Sequence, residues 1–301
     1  MTSASVEKGS PRAWLLATRP QTLPVSIVPV VVGSAVAFAR GEGRVPVALA
    51  CVGVSLLLQI GANLANDVFD FEKGADTEAR LGPLRVTQAG LLTPRAMRVA
   101  LAITLCLAML VGVYLVSIGG WLVLAVGLAA IASAVAYTGG PYPLGYNGLG
   151  DVFVFAFFGL VAVVGTTLLQ TGRYDPVAIA AALPIGALST AVLVVNNVRD
   201  HETDVLAKKR TVVVRFGRAF GVAEYVALML LAYATPIALF ASGRTGAVVL
   251  LPLITSPVAA RLARAVHAER GSALNARLAA TAKLMVAYGA LFAAGLYLGV
   301  R

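Results

Sequence analysis

The sequence is poor in charged residues and in the side chains that form disulfides or zinc sites. Only 13% of its 301 residues are charged and 59% are hydrophobic, whereas a soluble domain is about one quarter charged. The two cysteines, Cys51 and Cys106, lie in apolar stretches without CxxC spacing, which indicates small buried side chains. The only histidines are His201 and His267, too few for a zinc site. Composition therefore excludes a soluble enzyme and a zinc enzyme.

Long apolar runs recur along the chain. Each has about 18 or more residues, which is enough to cross a hydrocarbon core of about 30 Å as a helix. The runs lack the alternation of membrane β-strands, and a spanning segment must otherwise be helical. We predict an all-α integral membrane protein with about nine transmembrane helices. The predicted spans are residues 22–39, 45–65, 97–117, 120–138, 150–170, 177–196, 222–241, 246–265 and 281–299.

Basic residues are distributed unevenly between the two sides of these spans. Of 24 Lys and Arg residues, 19 fall in the N-terminal tail and every second connection, and the others are Arg40, Arg44, Arg173, Arg244 and Arg301. The positive-inside rule then predicts a cytoplasmic N-terminus and an external C-terminus in the cell membrane. It also explains the net charge of +10 without a nucleic-acid partner. We predict one domain over residues 1–301, with residues 1–15 as a cytoplasmic tail.

Acidic residues concentrate at two places. Eight of the 14 Asp and Glu residues lie in two short stretches after the second and sixth predicted spans. They are Asp67, Asp70, Glu72, Asp76 and Glu78 in the first stretch, and Asp200, Glu202 and Asp204 in the second. Because four spans separate the stretches, we predict two similar four-helix halves followed by one extra helix.

Each acidic stretch places oxygen-bearing side chains at helical spacing. Residues four apart share a helix face. The first motif contains the pairs Asn63/Asp67 and Asn66/Asp70, and the second contains the stripe Asn196, Asp200 and Asp204. Oxygen ligands suit Mg²⁺, which proteins usually hold through one or two carboxylates together with substrate phosphates. Two such stripes facing each other at one membrane surface predict a Mg²⁺–diphosphate site.

Basic residues flank both motifs. They are Lys73, Arg80 and Arg85 near the first, and Arg199 and Lys208–Arg210 near the second. A diphosphate leaving group gains negative charge as its C–O bond breaks, and Mg²⁺ and basic side chains stabilise that charge. The pattern therefore favours ionisation of an allylic diphosphate and capture of the cation by an electron-rich ring. Taken alone, the Lys208–Arg210 run is more often a topology anchor. Tyr137 in Tyr-Thr-Gly-Gly-Pro is most simply part of a helix stop followed by a turn, with a site role as the alternative.

The two motifs resemble those of the UbiA-type membrane prenyltransferases, and the resemblance extends from Arg19 to the last span. Further stretches are similar to one branch, the 1,4-dihydroxy-2-naphthoate polyprenyltransferases of menaquinone synthesis. These are Lys73–Thr77, Arg80–Gln88, Tyr137–Pro141, Asn196–Asp200 and Lys209–Thr211. The resemblance implies nine helices around a central cavity, a cytoplasmic cap, a lateral opening to lipid, and a polyprenyl diphosphate and an aromatic naphthoate as substrates.

The resemblance also implies roles for individual residues. Asn66, Asp70, Asp200 and Asp204 match the positions that bind Mg²⁺ and diphosphate. The catalytic set predicted here is Asp67, Asp70, Asp200 and Asp204, and the substrate-binding set is Asn63, Lys73, Arg85, Tyr137, Asn196, Arg199 and Lys209. The broad pattern places a third acid at position 74, where this chain has Gly74 and the next acid is Asp76. Asp67 either assists the metal or positions the acceptor ring.

Three alternatives remain at this stage. A cation-coupled transporter would place its acids near the bilayer midplane on broken helices, whereas both acidic stretches follow the ends of predicted spans. A CDP-alcohol-type phosphotransferase would carry its acids on one continuous segment, which this chain lacks. The third alternative keeps the chemistry and changes the acceptor, for example to 4-hydroxybenzoate. The sequence indicates neither an oligomeric state nor a prenyl-chain length.

Overall fold

The computed structural model of the protein describes residues 6–75 and 81–300. Helices dominate this part of the chain, and the described residues contain no strand beyond an isolated bridge between Thr245 and Val300. The α-helices are α1 Pro11–Thr18, α2 Leu23–Ala39, α3 Val45–Glu72, α4 Pro94–Ala136, α5 Gly150–Val154, α6 Gly165–Thr171, α7 Pro176–Leu206, α8 Val212–Phe216, α9 Arg218–Ala241, α10 Ser256–Ala268 and α11 Leu274–Gly299. A π-helix, Phe155–Val164, joins α5 to α6, and a 3₁₀-helix, Ala247–Thr255, precedes α10.

By length and composition, seven helical segments of the described chain can cross a membrane, and the pair α1–α2, bent by 51°, would be an eighth. This confirms the prediction of an all-helical membrane protein. Helix α4 has 43 residues and contains a non-helical Gly120 with φ 67° and ψ −155°. Two helices meet at this glycine, and at 1.5 Å per residue their combined length is about 65 Å, roughly twice the thickness of a hydrocarbon core. The sequence places a span boundary at this glycine, and the count of nine spans stays a prediction.

Helix α7 forms the centre of the fold. In an 18-residue apolar stretch of α7, 72% is buried inside the protein, compared with 17% in the corresponding stretches of α3 and α4. It packs against α2, the π-helix, α9 and α11, and its side chains dominate the largest hydrophobic cluster. Helix α4 instead exposes large apolar side chains such as Leu110 and Trp121, as expected for a lipid-facing helix. The second motif is thus at the end of the most buried helix.

The π-helix approaches α7 through two glycines. A Cβ on Gly159 would lie 2.8 Å from the Ala182 carbonyl oxygen, and one on Gly186 would lie 2.9 Å from that of Phe155. Small residues allow helix backbones to approach closely in this way. π-Helical segments are rare and frequently occur at functional sites. Helix α5 runs directly into this π-helix and also contacts α7, so Gly150 and Asp151 at the start of α5 lie beside α7.

Both acidic motifs remain helical, since α3 continues to Glu72 and α7 continues to Leu206. Three connecting segments cover this end of the molecule: residues 81–93, residues 137–149 and the turn before α8. The backbone N–H of Arg210 donates to the Tyr146 carbonyl at 2.7 Å, and Asn275 donates to the Leu81 carbonyl at 2.7 Å. We refer to these three segments as the cap loops. Residues 11–18, partly within the predicted tail, form α1, which packs on α3.

Candidate functional site

Lys209 joins the two acidic motifs. Its Nζ lies 3.6 Å from Asp70 Oδ1 on α3 and 3.9 Å from Asp204 Oδ1 on α7. These two oxygens are therefore separated by no more than the sum of the distances, 7.5 Å. The prediction that the stripes face each other is confirmed for this pair of carboxylates.

Asp70 is held by two further donors. Arg85 Nη2 donates to Oδ2 at 2.9 Å, and the Tyr146 hydroxyl donates to Oδ1 at 2.7 Å. Asp70 is only 1% exposed, so these charge-assisted hydrogen bonds offset much of the cost of burying its charge. Side chains from two cap loops, residues 81–93 and 137–149, therefore hold the Asp70 carboxylate in place.

Tyr146 was not among the sequence-predicted site residues. Two ammonium groups approach its ring, with Lys73 Nζ at 5.0 Å and Lys209 Nζ at 4.8 Å from the centroid. Both distances are within the range of cation–π attraction. Lys73 Nζ also donates to the Thr138 carbonyl at 2.5 Å. Burial lowers the pKa of Lys73 and nearby Lys209 lowers it further, although Asp70 acts in the opposite direction. Tyr146 therefore contacts two lysines that were predicted to bind substrate, Lys73 and Lys209.

Arg199 and Asp200 form a buried ion pair. Arg199 Nε and Nη2 donate to the two oxygens of Asp200 at 2.8 and 2.5 Å. The remaining guanidinium contacts are with Asn196 Oδ1 at 2.7 Å and Asn275 Oδ1 at 2.8 Å. Because Asn275 also binds the Leu81 carbonyl, Arg199 connects α7 to α11 and to a cap loop.

Asp67 and Asn63 lie on a different face of α3 from Asp70. Asp67 accepts hydrogen bonds from the backbone N–H groups of Val86 and Thr87 at 3.1 and 3.0 Å. The amide of Asn63 donates to the Thr18 carbonyl at 2.9 Å and to Thr22 Oγ1 at 3.3 Å. These contacts give both side chains positioning roles: Asp67 for the cap loop that carries Arg85, and Asn63 for the α1–α2 junction.

Asn66 and Tyr137 lie on the α4 side of the site. Asn66 Oδ1 accepts from the Thr138 hydroxyl at 3.0 Å. Burial raises the pKa of the Tyr137 hydroxyl above its ordinary value, and the charges of Asp151, Asp70 and Asp204 raise it further. Tyr137 is therefore near carboxylates of both motifs. Asp76, Glu78 and Arg80 lie outside the described residues.

Residues 26–297 match the UbiA prenyltransferase family. The chain is 40% identical to 1,4-dihydroxy-2-naphthoate octaprenyltransferase of Mycobacterium tuberculosis, covering 86% of this chain and 87% of that protein. It is 42% identical to the protein of the same name from Escherichia coli, covering 76% of each.

The fold matches solved structures at low sequence identity. One is a UbiA homolog from Archaeoglobus fulgidus bound to DMAPP and Mg²⁺, with a TM-score of 0.62, 16% identity, and coverage of 93% of this chain and 98% of that chain. The family match covers most of the chain, and the motifs from which the resemblance was inferred lie within it. The chain therefore belongs to the UbiA prenyltransferase family.

Proposed function

We propose that the protein transfers a polyprenyl chain from its diphosphate to 1,4-dihydroxy-2-naphthoate, with loss of CO₂, to give demethylmenaquinone. The observation that carries this proposal is the meeting of Asp70 and Asp204 around the Lys209 ammonium, with Arg85 and Lys73 beside them. Opposed carboxylates surrounded by cations suit a metal-bound diphosphate. The names of the two bacterial relatives support the naphthoate as acceptor.

The donor set fits Mg²⁺ held jointly by protein and substrate. The described residues contain no cluster of three or more acidic, His or Cys side chains that could enclose a metal. Two carboxylates completed by substrate phosphates are the usual arrangement for Mg²⁺. Asp70 and Asp204 would be the carboxylate ligands, with Asn66 and Asp200 in support, and the bound ion would neutralise charge on the departing diphosphate.

The surrounding side chains have separable tasks. Lys73 and Lys209 are placed to contact phosphate oxygens as charge develops during C–O cleavage. Arg85, held against Asp70, is our candidate for gripping the acceptor carboxylate, because a guanidinium can bind a carboxylate bidentately. Arg199 already donates to three side chains, which favours a role in positioning Asp200 over direct contact with the acceptor.

The proposed chemistry proceeds by capture of the allylic cation. The ring hydroxyls make the naphthoate electron-rich, so the carboxyl-bearing carbon can form the new C–C bond. That bond interrupts aromaticity, and departure of CO₂ restores it. The site must hold this carbon over C1 of the donor before ionisation, since orientation supplies several kcal/mol of such a barrier.

A competition experiment tests the acceptor. Purified protein is given Mg²⁺, a prenyl diphosphate, and equimolar 1,4-dihydroxy-2-naphthoate and 4-hydroxybenzoate, and the products are analysed by mass spectrometry. We expect prenylated naphthoquinol to dominate. Prenylated hydroxybenzoate as the main product would place the protein in another branch of the family. If no prenylated product forms from either acceptor in the presence of the prenyl diphosphate and Mg²⁺, prenyl transfer is contradicted.

We further propose that the site faces the cytoplasm of a cell membrane, with the C-terminus outside. The support is the 19-to-5 division of basic residues. Ala75→Cys and Val205→Cys should resist an impermeant thiol reagent in intact cells and react after permeabilisation. Arg244→Cys, near the C-terminal end of α9 and far from the motifs along the chain, should react in both cases. Labelling of positions 75 and 205 in intact cells would reverse the topology.

A further inference from the structure

Two acids lie within the apolar helices and outside both motifs. Asp151 is in the first turn of α5, and Glu224 is in α9. Asp151 is 7% exposed, and its Oδ1 is fully buried and accepts no hydrogen bond from the described residues; the same is true of Glu224 Oε2. Leaving such an oxygen without a donor is costly, and acids inside membrane helices usually have a function. Neither Asp151 nor Glu224 takes part in the chemistry proposed for the two motifs.

Asp151 is located next to the reaction site through Tyr137. A Cβ on Gly150 would lie 2.7 Å from the Tyr137 hydroxyl oxygen, so that hydroxyl rests directly against the backbone preceding Asp151. The same hydroxyl is within electrostatic range of Asp70, Asp204 and Asp151. Tyr137 thus connects the motif carboxylates to Asp151.

Glu224, on α9, is an electrostatic neighbour of Asp151. The two carboxylates interact electrostatically, while the groups acting on Tyr137 are Asp151, Asp70 and Asp204. Repulsion between neighbouring carboxylates is relieved when one of them takes up a proton. Tyr137 and Glu224 are therefore the titratable groups that interact with Asp151. Asp151 is thus a proton-accepting group beside Tyr137, and the next residue, Thr138, donates a hydrogen bond to Asn66 of the first motif.

From this arrangement we propose that Asp151 is the general base that temporarily accepts the proton of the acceptor's ring hydroxyl during prenylation. Glu224 assists through its electrostatic interaction with Asp151. This inference rests on the proposed function. As the carboxyl-bearing carbon attacks C1 of the allylic cation, the adjacent hydroxyl passes its proton to Asp151 and becomes a ketone. When CO₂ leaves, its bonding electrons re-form the ring and the phenolate oxygen, which takes the proton back from Asp151. No net proton is consumed, and no additional reactant is required.

Asp151→Asn tests the inference, with Glu42→Gln as the control, since Glu42 is a half-buried acid at the opposite end of α3 that pairs with Arg173. We expect kcat for the naphthoate to fall about 100-fold, a typical contribution of general base catalysis. We expect kcat of the unmodified protein to fall at acidic pH and this fall to be absent in Asp151→Asn. Release of diphosphate from the donor without acceptor should stay unchanged, because Asp151 takes no part in ionisation. Glu224→Gln should show a smaller loss of kcat.

An acceptor methylated on the oxygen adjacent to the carboxyl-bearing carbon separates base catalysis from a structural effect. This acceptor has no hydroxyl proton to transfer at that oxygen, so Asp151→Asn and the unmodified protein should prenylate it at the same slow rate. Equal losses with the methylated and free acceptors, or a kcat for Asp151→Asn within threefold of the unmodified protein, would overturn the inference. If Asp151→Asn does not fold, Asp151→Glu must retain the acidic limb of the pH profile and Glu224→Gln must lower kcat, or the inference fails. Failure of the unmodified protein to prenylate any naphthoate would instead refute the proposed function.

Discussion

Asp70→Asn is expected to lower turnover at least about 100-fold, the scale on which single electrostatic groups contribute to catalysis, while leaving the protein folded and inserted. The substitution keeps the side-chain volume and removes the charge shared by Arg85, Tyr146 and Lys209. Asp204→Asn should have a similar effect, since Asp204 provides the opposite carboxylate. Initial rates at several Mg²⁺ concentrations measure the effect.

The motifs themselves supply matched controls. Glu72 and Glu202 are each two residues from one of these aspartates and are exposed. Glu72→Gln and Glu202→Gln should therefore retain near-normal turnover. High Mg²⁺ should partly restore Asp70→Asn, because Asn keeps one oxygen ligand. Near-normal turnover of Asp70→Asn and Asp204→Asn at limiting Mg²⁺ would remove both residues from the metal site.

Arg199→Met is expected to destabilise the fold by about 3–5 kcal/mol, the cost of leaving one partner of a buried ion pair alone. Arg199 is 3% exposed and Asp200 7%, so water cannot replace the lost guanidinium. The exposed pair between Arg98 and Glu72, at 3.5 Å, provides the control, and Arg98→Met should change stability by no more than about 1 kcal/mol. Detergent-induced unfolding of the purified variants measures both values.

A double variant separates stability from function at the same position. Arg199→Met combined with Asp200→Leu removes both charges and should recover much of the lost stability, because no carboxylate is left unpaired. Turnover should stay low, since Asp200 is in the proposed metal-binding stripe. Recovery of both stability and turnover would show that this ion pair has no part in the reaction.

The helical placement of the motifs could be predicted because it depends on local spacing. Asn66 and Asp70, four residues apart, point to the site side of α3, as expected from 3.6 residues per turn. The same spacing could not show which of the two faces of α3 is turned towards α7. Asp67 and Asn63 share a face with each other, and that face contacts a cap loop and the α1–α2 junction.

The contacts made by Tyr146 could not be predicted from spacing. Tyr146 is 76 residues from Asp70 in sequence, within a turn rich in Gly and Pro that carries no helical or strand period. Its role depends on how the cap loops fold back over the ends of α3 and α7. Asp151 and Glu224 were missed for a different reason: each is an isolated acid in an apolar run and belongs to no motif with helical spacing.

The spans were predictable because hydropathy directly reflects the bilayer. Their ends were less so: α3 and α7 extend seven and ten residues beyond the predicted spans of 45–65 and 177–196. Hydropathy falls where the motifs begin, but the helices continue, because carboxylates at the end of a helix can be paired with Arg85, Arg199 and Lys209.

The most direct test of decarboxylative prenyl transfer uses 1,4-dihydroxy-2-naphthoate labelled with ¹³C in its carboxyl carbon. Purified protein is incubated with this acceptor, Mg²⁺ and a prenyl diphosphate, and both headspace CO₂ and prenylated product are measured by mass spectrometry. We predict one labelled CO₂ for each prenylated ring and no label in the product. A prenylated product that retains the labelled carboxyl group would contradict the account.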